Sequence, residues 1–515
     1  MKSTEPSHRL RFTAMLLCTT LLVVSCSDDD GPAGPSAPGA APAINSFSAT
    51  PSSVAAAGDS VELRWRTTGA SSVAIEPGIG AVTPPDSGSV RTFVAATTTF
   101  TLTATNAAGS VTQDAVVTAA SVVTITVTGT VVSLYSEPLP NTPVIISGLP
   151  PTTTDASGTF TISGVSTPYD ATVVAAADKR TIIYKGLTRP DPTLTSVDLT
   201  SILPPYSAVV TGTVSGGTGF PQPANHTTRV AFVSEQGSGG DIASGTTGAY
   251  NLTGRWGEQT TVAGTIHALQ WEVSSNLPVT YKGYGSKDAV TLADGGSFPG
   301  QNVTLTSVPT VTLTGNVTVS SGYMLMGKVV AIVWGRFGGI SVVSDLASTG
   351  AFTYATPDIS GTTVLFRAIA TSAMGNSTIW RVGLAPDASG VNVTIPAAPS
   401  LSLPVNAATN VDTLTVFSWT AFAQGVHLAF FDGPAGEPDY YVLTQSASST
   451  IPNLNAIGLG LPSSTAYQWS VSGIAPLVSV DEAAGPGGFY PIQTENPSRD
   501  GSLAVSTSRS FTTKP

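Results

Sequence analysis

The chain has 515 residues, too many for one hydrophobic core, so roughly three to five domains are expected. Hydrophobic residues make up 41% and charged residues only 10%. That balance excludes disorder of the whole chain, because disordered chains are poor in apolar side chains and rich in charge. A formal net charge of −11 without a basic cluster excludes a protein that grips nucleic acid by neutralising phosphates. Residues 1–11 carry Lys2, Arg9 and Arg11, and residues 12–25, FTAMLLCTTLLVVS, are apolar. This run is short of the ~20 residues a membrane-spanning helix needs but suits the core of a secretory leader. Cys18 lies inside it and Cys26 just after it, and these are the only cysteines. Removal of residues 1–25 would leave one thiol, hence no internal disulfide, and a more acidic chain.

The junction Leu22-Val23-Val24-Ser25-Cys26 resembles a bacterial lipobox. The resemblance implies cleavage before Cys26, acylation of its sulfur and amine, and attachment to a membrane through several acyl chains, which hold far more firmly than one. Ser27-Asp28-Asp29-Asp30 follows. It resembles the acidic export tags of some surface lipoproteins, and reads equally as a solvated start to a tether. The Gly, Pro, Ala and Ser that continue to residue 43 cannot build a core. As a semi-extended linker at about 3.1 Å per residue, residues 27–43 reach at most roughly 50 Å.

From residue 44 the text is strands and turns. Val61, Leu63 and Trp65 alternate with polar residues, as do Phe100, Leu102 and Ala104, the period of strands buried on one face. Asn106 to Gly109 supply a turn, and Trp65 reads as core. Residues 44–119 resemble bacterial immunoglobulin-like domains. An internal repeat follows. Val127-Thr-Gly-Thr-Val131 recurs as Val210-Thr-Gly-Thr-Val214 and Leu313-Thr-Gly-Asn-Val317. After each comes a glycine two residues before an aromatic: Gly158 and Phe160, Gly248 and Tyr250, Gly350 and Phe352. An aromatic–basic pair is next, at Tyr184-Lys185, Tyr281-Lys282 and Trp380-Arg381. Each unit closes with a strand, at residues 196–200, 302–306 and 392–395. The turn glycine is expected to take a positive φ, which it reaches without strain, and the aromatic to point inward.

In the first unit, Pro138-Leu-Pro-Asn-Thr-Pro-Val144 and TTDASGTFTISGV (153–165) resemble the carboxypeptidase regulatory-like family, a transthyretin-like β-sandwich that implies no peptidase activity. The other two units lack the proline-rich start and the aspartate, and join it through the repeat. Residues 399–515 resemble bacterial fibronectin type III domains. Pro404-Val-Asn-Ala-Ala-Thr-Asn-Val411, Phe417-Ser-Trp419, Tyr467-Gln-Trp469 and Ser510-Phe-Thr-Thr513 carry that likeness. Trp419, Tyr467 and Trp469 are expected in the core. Residues 473–505 depart from the pattern and read largely as a long loop, functional or merely unstructured.

The expected fold class is therefore all-β: a linear string of about five β-sandwich domains after a lipoprotein signal peptide and flexible linker. The expected segments are 1–25 (signal peptide), 26–43 (lipidated Cys26 and linker), 44–119 (immunoglobulin-like), 120–202, 203–308 and 309–398 (transthyretin-like repeats) and 399–515 (fibronectin type III-like).

No H-E-x-x-H, G-x-S-x-G, P-loop or C-x-x-C pattern occurs, so no catalytic or cofactor motif is proposed. Beyond the leader the histidines are His226, His267 and His427. An enzyme, the third reading, would need His226 and His267 to converge with an acid in a cleft. The carboxylates Asp432, Glu437 and Asp439 lack the pattern of a calcium loop and read as solvated. No metal is expected. The best ligand-binding candidates are Trp256, Tyr281, Tyr284 and Trp380, since a sugar ring stacks its apolar face on an exposed aromatic plane. Trp271 reads as core. The leading expectation is a non-catalytic, lipid-anchored cell-envelope protein at the outer membrane and the cell surface, acting in adhesion, scaffolding or display. Its partners would be the membrane, through Cys26, and a cell-surface polysaccharide or other envelope proteins. The alternative is a polysaccharide-binding accessory protein. It requires exposed coplanar aromatics, whereas scaffolding requires the same rings buried.

Overall fold

The computed structural model describes residues 39–55, 58–120, 124–133, 136–196, 204–257, 259–335, 338–486 and 499–515. Cys26, with the leader and most of the linker, lies outside the described residues. The fold is all-β, as the alternating Val, Thr and aromatic residues lead one to expect. Among the described residues the only α-helix is the single turn Val480–Ala483, capped by Ser479, whose side chain accepts a hydrogen bond from the Glu482 amide.

The chain divides into two compact units, residues 1–122 and 123–515. In the first, a three-stranded sheet (Ala43–Thr50, Asp59–Thr68, Ser87–Val94) packs with a five-stranded one centred on Thr98–Asn106 and Gly109–Ala119. Val61, Leu63, Trp65, Phe100, Leu102 and Ala104 form its core, as their alternation requires. Asn106 faces Gly109 across the expected hairpin turn.

In the second unit the three repeat signals become the same three-strand arrangement three times, a separate three-stranded sheet in the first and third repeats and part of an eight-stranded sheet in the second. Strands Thr124–Val132, Tyr206–Gly216 and Thr310–Val319 each pair antiparallel with the strand of the glycine–aromatic signal. Each also pairs parallel with a closing strand. In the first repeat the closing strand is Thr193–Thr195, and residues 197–200 lie outside the described residues. The register accounts for the glycine in the middle of the first signal. Gly129 faces Phe160, Gly212 faces Tyr250 and Gly315 faces Phe352. A Cβ at Gly129 or Gly315 would lie 2.6 Å from the ring facing it, so only glycine lets the aromatic fold across the strand. Phe160, Tyr250 and Phe352 are buried. The turn glycines Gly158 and Gly248 take φ of +72°. The third repeat turns without a positive φ at Gly350.

The segments follow one another in sequence but not in space. One sheet path runs through the first repeat, crosses into the C-terminal segment and continues into the third repeat. At the first crossing Arg180–Leu187 pairs parallel with Asp439–Thr444. At the second, Gly375–Leu384 pairs antiparallel with Gly501–Ser506. That last strand falls inside the stretch expected to be mostly loop. It also pairs with Ala466–Ala475, and is held there by its own alternation, with Ser502, Ala504 and Ser506 buried. The second repeat has its own eight-stranded sheet. One face of that sheet covers its own core. The other, with Ala231, Val233, Leu269, Trp271 and Tyr281, joins the core of the third repeat. The spatial order is first repeat, C-terminal segment, third repeat, second repeat.

Candidate functional site

The four aromatic candidates occupy three places. Trp256 ends the strand Ala249–Trp256 inside the core of the second repeat. It is fully buried, donates its indole N–H to the Gln259 carbonyl at 2.7 Å and packs on Tyr206. Tyr281 and Tyr284 lie on the long strand Leu277–Ala293 at the seam between second and third repeats. Tyr281 is buried against Trp271 and donates its hydroxyl to the Ala355 carbonyl across the seam at 3.3 Å. Trp380 sits at the seam with the C-terminal segment. It is buried over Gly501, and its indole N–H donates to the Arg499 carbonyl at 2.8 Å. Trp256, Tyr281 and Trp380 therefore offer no face to a sugar, against the exposed rings that the polysaccharide-binding alternative required. Lys282 and Arg381 are spent on ion pairs, with Glu272 at 2.8 Å and Asp500 at 2.6 Å.

Tyr284 is half-buried and belongs to a stack the sequence did not point to. Trp334, at the end of the strand Met324–Gly335 of the third repeat, lies 4.3 Å from the His267 ring and 5.9 Å from Tyr284, within 14° and 10° of parallel. His267 Nδ1 and the Tyr284 hydroxyl share a hydrogen bond of 2.9 Å. Burial under these rings pushes the His267 pKa down to about 4, with Asp288 opposing the shift, so the imidazole is neutral at pH 7. Burial likewise raises Tyr284. Three rings from two repeats face one another, which makes the stack a fastening between repeats. The sequence offers no local sign of it, because Trp334 and His267 lie in different repeats.

His226 is placed elsewhere. On the paired strands His226 faces Glu272 and His267 faces Ala231, five positions along. At about 3.4 Å per residue that separates them by roughly 17 Å, so the pair an enzyme would have needed does not meet. His427 is buried and accepts the Phe422 amide at 2.8 Å. Asp439 is held by Arg180 at 3.1 Å, an ion pair across the seam between first repeat and C-terminal segment. Asp432 stays exposed, its pKa raised by partial burial and by the neighbouring Asp439. Among the described residues no three His, Cys, Asp or Glu side chains gather as a metal site.

One cleft of about 360 Å³ opens between Ser238–Gly240 of the second repeat and the third repeat's sheet. Val329, Ala331 and Leu365 form its floor, with Ser341 and Arg367 among its polar walls. Among the described residues no helix is long and apolar enough to cross a membrane.

No family model matches the chain, and no curated protein matches it. Among solved structures, the Bacillus anthracis TIE protein aligns over 68% of this chain and 74% of its own, at 12% identity and a TM-score of 0.17. The pilus adhesin SpaC of Lactobacillus rhamnosus GG aligns over 80% of this chain and 56% of its own, at 11% identity and 0.15. Fibronectin domains FN1–FN3 of chicken CNTN1 align over 56% and 90%, at 12% identity and 0.15. TM-scores this low say nothing about ligand, partner or location.

Proposed function

We propose that the chain is a non-catalytic, lipid-anchored cell-envelope protein whose β-sandwich body serves in adhesion, scaffolding or display. The observation that carries this reading is the use to which the aromatics are put. Tyr281 and Trp380, with the ion-paired Arg381, fasten the repeats to one another and to the C-terminal segment. A body welded in this way transmits position and load. Tethered to a membrane, it would gain from many weak contacts by raised effective concentration. Cys26 is the proposed point of lipidation, and the outer membrane the proposed site of attachment. The domain boundaries set out above are part of the same proposal.

The test is protease shaving of intact cells, with Cys26→Ala alongside. Degradation of the wild type from outside, together with loss of the variant from the membrane fraction, is the expected result. Protection of the wild type until the cells are opened would remove adhesion and leave periplasmic scaffolding. Unchanged membrane retention of the variant would remove the anchor. A second reading, polysaccharide binding, is favoured only by the cleft beside Ser238–Gly240. Ser341→Trp would fill it, and glycan retention that survives this substitution would end that reading.

A further inference from the structure

Sulfur is confined to one place in the body of this protein. The five methionines are Met1, Met15, Met324, Met326 and Met374, and the two cysteines are Cys18 and Cys26. Beyond residue 26, therefore, the only sulfur atoms are the thioethers of Met324, Met326 and Met374. All three are exposed, at 60%, 46% and 42%, where methionine would ordinarily fill a gap in a core.

They lie at the same end of the third repeat's sheet. Met324 begins its strand and faces Thr371, and Met374 lies three residues further on, in the turn between Thr363–Ser372 and Gly375–Leu384. Met326 falls in a bulge between Leu325 and Gly327, the kind of irregularity that turns a side chain outward. Leu346, 81% exposed, closes the group, with its Cδ2 lying 3.5 Å from where Gly327 would carry a Cβ. Met374 also touches the C-terminal segment. Its carbonyl accepts the Thr507 amide at 2.9 Å, and its sulfur accepts the Ser400 hydroxyl at 3.7 Å.

We infer that Met324, Met326 and Met374 form the oxidant-reactive site of this protein, taking two-electron oxidants of the peroxide or hypohalous acid class. A thioether lone pair attacks the terminal oxygen of hydrogen peroxide. The O–O bond breaks, an S–O bond forms, and the remaining oxygen leaves as water. Sulfur is oxidised to the sulfoxide and peroxide is reduced, with no further reactant. The consequence is a change of surface character, because a sulfoxide is polar where a thioether is apolar. Oxidation thus turns the apolar end of the sheet polar. At Met374 it gives the Ser400 hydroxyl a stronger acceptor. Return to methionine requires a dithiol reductant, which supplies two electrons and becomes a disulfide while the sulfoxide oxygen leaves as water.

The experiment treats the purified full-length chain with hydrogen peroxide at neutral pH and follows each methionine by peptide mass spectrometry. N-acetylmethionine in the same tube sets the rate of a free thioether. A hydrophobic dye is read before and after treatment. The expected result is one added oxygen at each of the three positions, at rates within about threefold of the free thioether. Dye binding should fall in the wild type and not in the Met324→Leu, Met326→Leu, Met374→Leu variant, whose side chains keep the volume without the sulfur. Rates tenfold or more below the free thioether at any of the three would overturn the site. Equal loss of dye binding in wild type and variant would overturn the link between oxidation and the surface.

Discussion

Single side chains in this protein are legible once their neighbours across a seam are known. His267 is the clearest case, and its titration makes a testable consequence. The unfolded imidazole takes up a proton near its ordinary value of 6.5, while burial under Trp334 and Tyr284 holds the folded one near 4. Between those values the unfolded state binds more protons. The stability that His267 contributes is therefore complete above pH 6.5 and is lost as pH falls towards 4. The gap corresponds to about 3 kcal/mol. The expected outcome is that the urea midpoint falls further between about pH 7.5 and pH 4.5 in the wild type than in His267→Gln. An equal fall in both would mean that this histidine titrates freely. Lys328 depends instead on partners within its own repeat. Fully buried, it donates to the Ala347 and Thr349 carbonyls at 2.8 Å and pairs with Asp345 at 3.2 Å. Burial pushes Asp345 upward, but the Tyr354 hydroxyl, the Ala347 amide and Lys328 together hold its carboxyl below the usual range. The carboxylate stays charged, and the pair is satisfied where a lone buried charge would be costly.

At the scale of the strand, pairing decides what the side chains can do. Gly501–Ser506 is central, with Ala504 facing Ser377 on one side and Gly473 on the other. Proline at such a position removes a donor and crowds the ladder. Ala504→Pro is expected to speed amide exchange in Gly375–Leu384 by about tenfold or more, the consequence of losing an interior hydrogen bond worth 1–3 kcal/mol. Exchange confined to the substituted strand would show that the third repeat does not depend on it. The repeat signals were readable in the sequence because each is one strand with its own period, and because Gly129, Gly212 and Gly315 stand where aromatics must cross. The core aromatics Trp65, Trp419, Tyr467 and Trp469 were readable for the same reason. The seams were not. The pairing of Arg180–Leu187 with Asp439–Thr444 joins residues 259 apart, and local alternation carries no information about which edge a strand will meet. Nor could Tyr281 and Trp380 be placed as seam residues while the acceptor of the Tyr281 hydroxyl and the partner of Arg381 were unknown.

Across residues 123–515 the cores themselves are shared. Val426, Leu428, Ile474, Leu477 and Val480 of the C-terminal segment pack with Val144, Ile182 and Tyr184 of the first repeat. Val174 and Ile183 of that repeat enter the core of the C-terminal segment in turn. Phe422 and Ala504 reach into the core common to the second and third repeats. Independent sandwiches on a string would each keep such residues to themselves. Ending the chain at residue 398 would strip both crossings at once. Arg180–Leu187 and Gly375–Leu384 would each be left with an open edge, and Val174 and Ile183 with an uncovered face. An unpaired edge beside apolar side chains is a template for association. The expected outcome is that the shortened chain aggregates on size exclusion, or melts well below the full one. A monomeric product with an unchanged melting temperature would make the shared sheet a contact between separately stable domains. The spatial order would then be a matter of docking, with each repeat free to be exchanged alone. If the expected result is found, the C-terminal segment is the keystone of the body. Substitutions at Asp439 or Asp500, which ion-pair with Arg180 and Arg381 across the two crossings, would then weaken repeats far from them in sequence.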